Sequence, residues 1–271
     1  MRTKRAMAGR DEGTGPGEGR SQPAHHVAGL RKGLSVIESF NSIRSRLTVS
    51  EAARRANVSR AAARRYLFTL AELGYVGTYG DEYWLEPRVL RLAGAYLTSA
   101  QLPRLLQPIL NRLTAMTGES AAAAVLDGDD VIHIARCVSA RIVSYGLQPG
   151  THLPAYCTST GKVLVASLPP DDAEAWIARQ VLKPYTSRTT ATHEQLRAQV
   201  GAARHAGYAT SSEEYEPGVC AIAVPARNSR GEVLAAMSVI VDPLRYGERE
   251  LVERMLPALR ACELEARALL T

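Results

Sequence analysis

The stretch "LTVSEAARRANVSRAAARRYLFTLAELGYV", residues 47–76, predicts the architecture of the first part of the chain. Ser50 is placed to cap a short alanine-rich helix, with Thr48 as a weaker candidate, because a side-chain oxygen before the first turn accepts a hydrogen bond from a free amide. A second helix is predicted after "VS", and Gly74 is predicted to end it. Two short helices joined by a tight turn are typical of a helix-turn-helix, which presents its second helix to the major groove of DNA.

The second predicted helix has two faces of different chemistry. The positions predicted to be buried are Ala62, Tyr66, Thr69, Leu70 and Leu73. Small and basic residues fall towards the other face, where alanines allow close approach and arginines reach phosphates and guanine edges. We therefore expect DNA contacts from Arg46, Ser50, Ser59, Arg60, Ala61, Arg64, Arg65 and Tyr79.

The segment that follows predicts a wing. "YVGTYGDEYWLEP", residues 75–87, has two alternating runs around "YGDE", a pattern typical of a β-hairpin. An arginine-rich helix can also be the solvated surface of a plain helical bundle. The order of a helix, a helix-turn-helix and a hairpin favours a winged helix-turn-helix over that alternative.

Positive charge is concentrated in this same segment. The formal net charge of the chain is +6. Between Val27 and Gly77, nine Lys and Arg side chains stand against three Glu, whereas residues 78–271 sum to a net charge of −2. A polyanion is therefore the expected partner of the N-terminal segment.

Composition narrows the class of protein. With 271 residues, 46% hydrophobic and 22% charged, the chain is typical of a soluble globular protein of two domains. No apolar run approaches the roughly 20 residues that cross a bilayer, and no secretion signal is evident, so we expect a cytoplasmic protein without a membrane partner. His133 and Cys137 are four apart, but "VIHIARCV" alternates like a strand and no further ligands stand nearby, so we expect no metal there. We also expect no cofactor.

The rest of the chain suggests four segments. Residues 1–25 are rich in glycine and charge, which predicts a disordered tail. An amphipathic helix follows, and its residues Leu30, Leu34, Ile37 and Phe40 are expected to face inward. The expected segments are a tail over 1–25, a DNA-binding domain over 26–87, a linker helix over 88–103 and a larger domain over 104–271.

The sequence pattern of the larger domain predicts an α+β fold with a mainly antiparallel sheet. Apolar runs flank the turns "DGDD" (127–130) and "NSRG" (228–231), which predicts two strand pairs. Helices are predicted near 161–168, 171–179 and 193–206, and a final helix ends the chain.

The loop "AYCTSTGKVLVAS", residues 155–167, has only part of a phosphate-binding pattern. That pattern needs a glycine where Tyr156 stands and a hydroxyl residue where Val163 stands. Residues 158–160 nevertheless bring hydroxyls and amides to the start of a predicted helix, and a helix N-terminus attracts anions. A carboxylate site and an ordinary helix cap both stay open.

From about Val27 onwards, the chain resembles the IclR-type transcriptional regulators. The motifs that carry the resemblance are "GLSVIESF" (33–40), the stretch 47–76, "LPAYCTSTGKVLVAS" (153–167) and "GYATSSEEYEPGVCAIAVPARNSRGEVLAAMSVI" (207–240), in this order. The resemblance implies a winged helix-turn-helix, a linker helix used in dimerisation, and a C-terminal GAF-like effector-binding domain. It also implies a homodimer or a dimer of dimers.

One branch of the family is especially similar. "ARCVSARIVSYGLQPGTHLPAYCTSTGKVLVAS", residues 135–167, resembles the regulators of aromatic-acid catabolism through protocatechuate, para-hydroxybenzoate and β-ketoadipate. This implies a regulator that binds a palindromic operator and senses a small carboxylate, either an aromatic acid or a β-ketoadipate-like dicarboxylate.

The family's pocket positions can be carried over to this chain. They imply an effector site formed by Arg136, Ile142, Tyr145, Ser159, Thr160, Gly161, Ser211, Cys220 and Ser238. Arg136 and Arg141 are each either a carboxylate partner or a surface charge, since bidentate arginine pairing is strong. Another subgroup places an acid where Ser211 stands, and the loss of that charge favours binding of an anion.

Two other functions stay open. A cysteine and a histidine could form the nucleophilic pair of a small-molecule hydrolase, because helix N-termini lower the pKa of thiols. The candidates are Cys157, Cys220, His133 and His152, and no orienting third group is evident. A nonspecific architectural DNA-binding protein is the other alternative, but this function does not explain why the chain has a second, larger domain.

Overall fold

The computed structural model describes residues 27–40, 44–139 and 148–270. The chain forms two units that divide between Leu90 and Arg91, inside the span 88–103 for which one linker helix is predicted. The predicted tail, residues 1–25, lies outside the described residues. No helix within those described ranges is both long and apolar enough to cross a membrane.

The N-terminal unit has the predicted winged helix-turn-helix architecture. Its elements are α1 (Ala28–Glu38), β1 (Arg46–Thr48), α2 (Val49–Arg55), α3 (Arg60–Glu72), β2 (Val76–Tyr79) and β3 (Glu82–Leu85), followed by a 3-10 turn at Pro87–Val89. The predicted hairpin is β2 and β3, and Gly80 in its turn has a φ of 62°, which favours glycine. The three-residue β1 pairs with β3 and is too short for an alternating pattern to predict.

The residue that caps α2 differs from the predicted one. Thr48 is the N-cap, and its side chain accepts a hydrogen bond from the amide of Glu51, whose carboxylate accepts one from the Thr48 amide at 2.9 Å. The hydrogen bonds that this carboxylate accepts from the amide and the hydroxyl of Thr48 lower the pKa of Glu51. The prediction of Ser50 as the cap is wrong, because only Thr48 has a glutamate three residues later to complete this reciprocal capping box.

The buried face of α3 is also rotated from the predicted one. The buried residues are Ala63, Leu67 and Leu70, whereas Thr69 and Leu73 are exposed. Leu67 and Leu70 pack in one core with residues of α1, β1 and α2. The helix repeats every 3.6 residues, so a set of apolar positions shifted by one residue fits the pattern nearly as well, and packing decides between them.

The apolar stripe of α1 faces inward only at its C-terminal end. Val36 and the following Phe40 are buried, but the side chains of Leu30 and Leu34 are 63% and 44% exposed in the single chain. The prediction that the whole stripe is buried is therefore wrong for this chain taken alone.

The C-terminal unit is an α+β domain. Its first helix is α4 (Leu90–Ser99), whose first residue is the last one of the N-terminal unit. The elements that follow are α5 (Gln101–Thr117), β4 (Ser120–Asp127), β5 (Asp130–Cys137), β6 (His152–Pro154), α6 (Ser159–Ala166), α7 (Pro170–Ala178), α8 (His193–Ala206), β7 (Ala209–Ser212), β8 (Cys220–Arg227), β9 (Val233–Val241) and α9 (Glu248–Leu269). The strand order is β6-β5-β4-β9-β8-β7, and every neighbouring pair is antiparallel, as predicted. The predicted strand pairs at 127–130 and 228–231 are β4 with β5 and β8 with β9.

The sheet has two faces with different neighbours. Met237 and Val239 of β9 face the core formed with α5 and α9. Ala236 of the same strand packs in the second core, which includes residues of α6, α7 and α8. Alternate residues of a strand point to opposite faces, so Ser238 shares the second face with Ala236. This second face carries the cavity described below.

Candidate effector cavity and DNA-reading surface

The outward face of α3 is basic and unobstructed. Ser59 caps the helix, and its Oγ accepts a hydrogen bond from the Ala62 amide at 3.2 Å. The predicted DNA residues Arg60, Ala61, Arg64 and Arg65 are all exposed. None of these arginines forms an ion pair with another residue of the described chain. Their guanidinium groups are therefore available for an external anion.

The other predicted DNA residues lie outside α3. Ser50 is exposed in the first turn of α2, and Tyr79 is 80% exposed at the end of β2. Arg46 already has partners, because its guanidinium lies 4.5 Å from the ring centroid of Trp84 and 3.2 Å from a carboxylate oxygen of Glu82. These contacts tie Arg46 to the wing.

The C-terminal unit contains a cavity beside the second face of the sheet. Its lining residues are His133, Leu153, Cys157, Thr158, Ser159, Thr160, Ser211, Glu214, Tyr215, Glu216, Val219, Ala221, Ser238 and Ile240. Four of the predicted effector residues, Ser159, Thr160, Ser211 and Ser238, therefore line one cavity. Ile142 and Tyr145, as well as Arg141, lie outside the described residues.

The N-terminus of α6 forms a polar wall of this cavity. Thr158 is the N-cap, and its hydroxyl accepts a hydrogen bond from the Gly161 amide at 3.1 Å. The amides of Ser159 and Thr160 stand in the first turn, where no carbonyl of the same helix can accept from them. Both side chains are buried against the cavity. This wall can donate hydrogen bonds to an anion, and the positive end of the helix dipole favours one there.

Gly161 has a packing role rather than the predicted role as a donor to the effector. Its amide is already used by Thr158, and it does not line the cavity. A Cβ at this position would lie closer than 3.0 Å to the carbonyl oxygen, the Cα and the carbonyl carbon of Ala155. The glycine therefore allows α6 to pack directly on the preceding turn, and the cavity lining does not support the predicted role of Gly161 as a donor to the effector.

Cys220 lies on the wrong face of β8 for the predicted role. Its side chain belongs to the core with α5 and α9, and its Sγ lies 3.4 Å from Oγ of Ser212. The residues on either side of it, Val219 and Ala221, line the cavity instead. The alternation of side chains along a strand explains the difference, because a shift of one residue moves a side chain to the other face.

His133 is a cavity residue that was not predicted as part of the effector site. Its side chain is 3% exposed, and its Nδ1 lies 3.3 Å from the carbonyl oxygen of Thr151. Burial lowers the pKa of His133 to about 4, the Thr151 hydrogen bond opposes this shift, and the charge of Arg136 adds to it. The imidazole is therefore neutral near pH 7.

Arg136 lies three residues further along β5 and does not line the cavity. It is buried, and burial lowers its pKa below the ordinary value for arginine. Its predicted role as a direct carboxylate partner is therefore unsupported by the cavity lining. Its positive charge lies close enough to His133 to help lower the pKa of that cavity residue.

The Gly-Lys pair of the loop 155–167 has a structural explanation. Lys162 points away from the helix start and forms a buried ion pair with Glu214, the two side chains being 3% and 9% exposed. Lys162 Nζ also donates to the carbonyl of Thr210 at 3.3 Å, and Thr190 donates to the second carboxylate oxygen of Glu214 at 3.2 Å. Glu214 lines the cavity, so this pair anchors the segment that closes one side of it. The two residues are 52 positions apart, and no local signal predicts the pair.

The proposed cysteine nucleophile is not activated. Burial raises the pKa of Cys157 to about 12, and the nearby carboxylate of Glu214 adds to the shift. A thiol with this pKa is protonated at neutral pH, and the thiolate is the nucleophile. His152 is mostly exposed and lies 3.3 Å from Asp130 rather than beside Cys157.

The spacing of His133 and Cys137 does not produce a metal site. A bulge where β5 pairs with Ala123 and Ala124 changes the alternation of the strand, so that His133 lines the cavity while Cys137 packs against the opposite core. Across the part of the chain that the structure covers, no three metal-binding side chains are grouped.

Two family descriptions match the chain. Residues 29–78 match the IclR helix-turn-helix domain, and residues 94–267 match the family described as bacterial transcriptional regulator IclR C-terminal. Among the similar curated proteins is the p-hydroxybenzoate hydroxylase transcriptional activator of Acinetobacter baylyi. It is 40% identical over 249 residues, which cover 90% of this chain and 92% of that protein.

Two solved structures with bound acids are similar to this chain. The inducer-binding domain of a double mutant of PobR from Acinetobacter, in complex with 3-hydroxybenzoic acid, is 36% identical with a TM-score of 0.59, and the match covers 63% of this chain and 100% of that one. An IclR homolog from Microbacterium hydrocarbonoxydans, in complex with 4-hydroxybenzoate, is 27% identical with a TM-score of 0.68. This match covers 89% of this chain and 100% of that one.

Proposed function

Because the chain belongs to the IclR family of bacterial transcriptional regulators, we propose that it controls an aromatic-acid catabolic operon in response to a small carboxylate. The observation that carries this proposal is the cavity of the C-terminal unit. It combines the N-terminus of a helix with apolar walls such as Leu153, Tyr215 and Ile240. An aromatic acid has the same division between a charged end and an apolar ring.

The carboxylate of the effector binds at the first turn of α6. The amides of Ser159 and Thr160 and their hydroxyls supply donors, and the helix dipole supplies favourable potential. Ser211 adds a neutral hydroxyl where an acid would repel the ligand. Lys162 balances the charge of Glu214, and Arg136 adds positive charge nearby, so an anion is tolerated in this buried site.

The regulator acts on a palindromic operator as a homodimer or as a dimer of dimers, in the bacterial cytoplasm. Binding of the effector shifts the population of arrangements of the two winged units in a dimer, and thereby their match to the two half-sites. The exposed Leu30 and Leu34 of α1 and the exposed Tyr96 and Leu97 of α4 are apolar surface that such an assembly can cover.

Replacing Arg60 or Arg64 by alanine is expected to weaken operator binding by about 10-fold or more, because both residues are exposed on the reading face of α3 without an ionic partner in the described chain. A base-reading arginine changes the sequence preference when it is lost, whereas a phosphate contact lowers the salt dependence by about one unit of slope. The measurement is fluorescence anisotropy with DNA from upstream of its own or neighbouring genes, at several salt concentrations.

The matched control for both variants is Arg249→Ala, which removes one positive charge from an exposed position on α9. It should leave operator binding unchanged. A random duplex should bind about 10³-fold more weakly than the operator. Unchanged affinity in both α3 variants, or equal binding of random DNA, would contradict the proposal.

A specific effector is expected to raise the thermal stability of the C-terminal unit. A ligand present at 100 times its Kd stabilises the folded state by about 2.7 kcal/mol. The measurement is a thermal-shift screen of para-hydroxybenzoate, protocatechuate, β-ketoadipate and related acids. Ala221→Leu should abolish the shift by filling the cavity, and Ala198→Leu, on the exposed face of α8, should retain it. Absence of any shift across the panel would refute the proposed effector class.

A further inference from the structure

We propose that His133 is the hydrogen-bond acceptor for a phenolic hydroxyl of the effector, so that the cavity selects hydroxyl-bearing aromatic acids over unsubstituted ones. This inference rests on the proposed function, because it assigns one wall of the same cavity. His133 lies on β5, while the donors for the carboxylate lie on α6, and both line the cavity.

The contacts of His133 indicate which ring nitrogen can accept a hydrogen bond from a ligand. Nδ1 lies 3.3 Å from the carbonyl oxygen of Thr151, and a carbonyl oxygen only accepts hydrogen bonds, so Nδ1 carries the hydrogen. In the neutral ring, Nε2 is then a bare acceptor. Nε2 has no hydrogen-bond partner among the residues that the structure describes.

The backbone around His133 fixes the position of the ring. The His133 amide donates to the carbonyl of Thr151 at 2.9 Å, and the His133 carbonyl accepts from the Gly150 amide at 2.8 Å. The side chain and both backbone groups are therefore held by the turn before β6. A ring held in this way presents its acceptor at a defined point of the cavity wall, which favours selection between ligands.

The protonation state supports the acceptor role. The pKa of His133, lowered to about 4 by burial, keeps the imidazole neutral at physiological pH. A protonated ring would offer only donors and would attract the carboxylate. The neutral ring does not attract the carboxylate, which binds at α6, and it accepts a hydrogen bond from the phenolic hydroxyl.

The two glutamates that line the cavity are less suitable than His133 as acceptors for a phenolic hydroxyl. Glu214 is held by Lys162 and Thr190, and Glu216 is exposed to solvent. A buried acceptor that loses water on ligand binding and gains no donor weakens binding. An effector without a hydroxyl should therefore bind about 10- to 100-fold more weakly than its hydroxylated counterpart.

The test compares matched ligands on the full-length protein by isothermal titration calorimetry. The ligands are 3- and 4-hydroxybenzoate, their methoxy ethers, and benzoate. We expect at least one hydroxybenzoate to bind 10-fold or more tightly than benzoate and its own ether. In His133→Phe, which keeps a ring but lacks an acceptor, this preference should fall to about 2-fold or less, whereas His133→Gln should restore part of it.

A second measurement does not depend on a variant. In protein labelled with ¹⁵N-histidine, the resonance of the unprotonated Nε2 of His133 should shift upfield with the preferred hydroxybenzoate and stay in place with benzoate. Equal affinities of the native protein for all five acids, a preference that persists in folded His133→Phe, or an unmoved Nε2 resonance would overturn the inference alone. Absence of binding by every acid would overturn the proposed function on which it rests.

Discussion

Replacing Lys162 by methionine is expected to lower the free energy of unfolding of the C-terminal unit by about 3–5 kcal/mol. The change removes the charge that balances Glu214 and leaves a carboxylate 9% exposed beside the cavity. It should also weaken binding of an anionic effector, because the released charge faces the ligand. The measurement is urea unfolding in a Trp84→Phe background, where Trp176 is the single tryptophan and reports on the C-terminal unit.

Two controls isolate the ion pair. Lys183→Met makes the same substitution at an exposed lysine and should change the unfolding free energy by no more than about 0.5 kcal/mol. Adding Glu214→Gln to Lys162→Met should recover part of the loss, because it removes the uncompensated charge. If Lys162→Met and Lys183→Met have equal effects, the buried pair is not a source of stability in this unit.

Replacing Gly161 by alanine is expected to destabilise the C-terminal unit by about 3 kcal/mol or more, at or above the usual cost of overpacking a core. The added methyl group would collide with backbone atoms of Ala155, which cannot rotate away as a side chain could. Either the turn or α6 must move, and with it the amides of Ser159 and Thr160. The measurement is the same urea titration, together with effector affinity.

Gly201→Ala is the matched control for this substitution. Gly201 lies in the exposed interior of α8, and an added Cβ there meets nothing within 4 Å. Because alanine is the better helix former, this variant should be more stable than the native protein by about 0.5–1 kcal/mol. The two substitutions should therefore change the free energy of unfolding in opposite directions. A mild effect of Gly161→Ala would show that α6 does not need this close approach.

The DNA-binding unit could be predicted from the sequence because its signals are local. The turn between two short helices, the glycine that ends α3 and the alternating runs of the wing all lie within 41 consecutive residues, 47–87. Details that depend on competition between neighbours could not be predicted as well. Thr48 rather than Ser50 caps α2, and the buried face of α3 follows its packing partners.

The effector site was predicted less completely. Family resemblance indicated Ser159, Thr160, Ser211 and Ser238, which line one cavity. It also indicated Gly161 and Cys220, which do not, and it gave no indication of His133 or Glu214. Cys220 shows the physical reason, since the strand around it is apolar on both faces and its sequence does not reveal which face a residue occupies.

Patterns along the chain were enough to predict the winged helix-turn-helix and to locate the positive charge on the N-terminal unit, and they placed the start of α6 to within two residues. These properties depend on neighbours along the chain, through caps, turns and periodicity. The pairing of Lys162 with Glu214 and the presence of His133 and the start of α6 in the lining of one cavity follow from the folded structure alone. Such contacts depend on which residues of distant segments meet, and their strength comes from shared burial away from water, which no local pattern encodes.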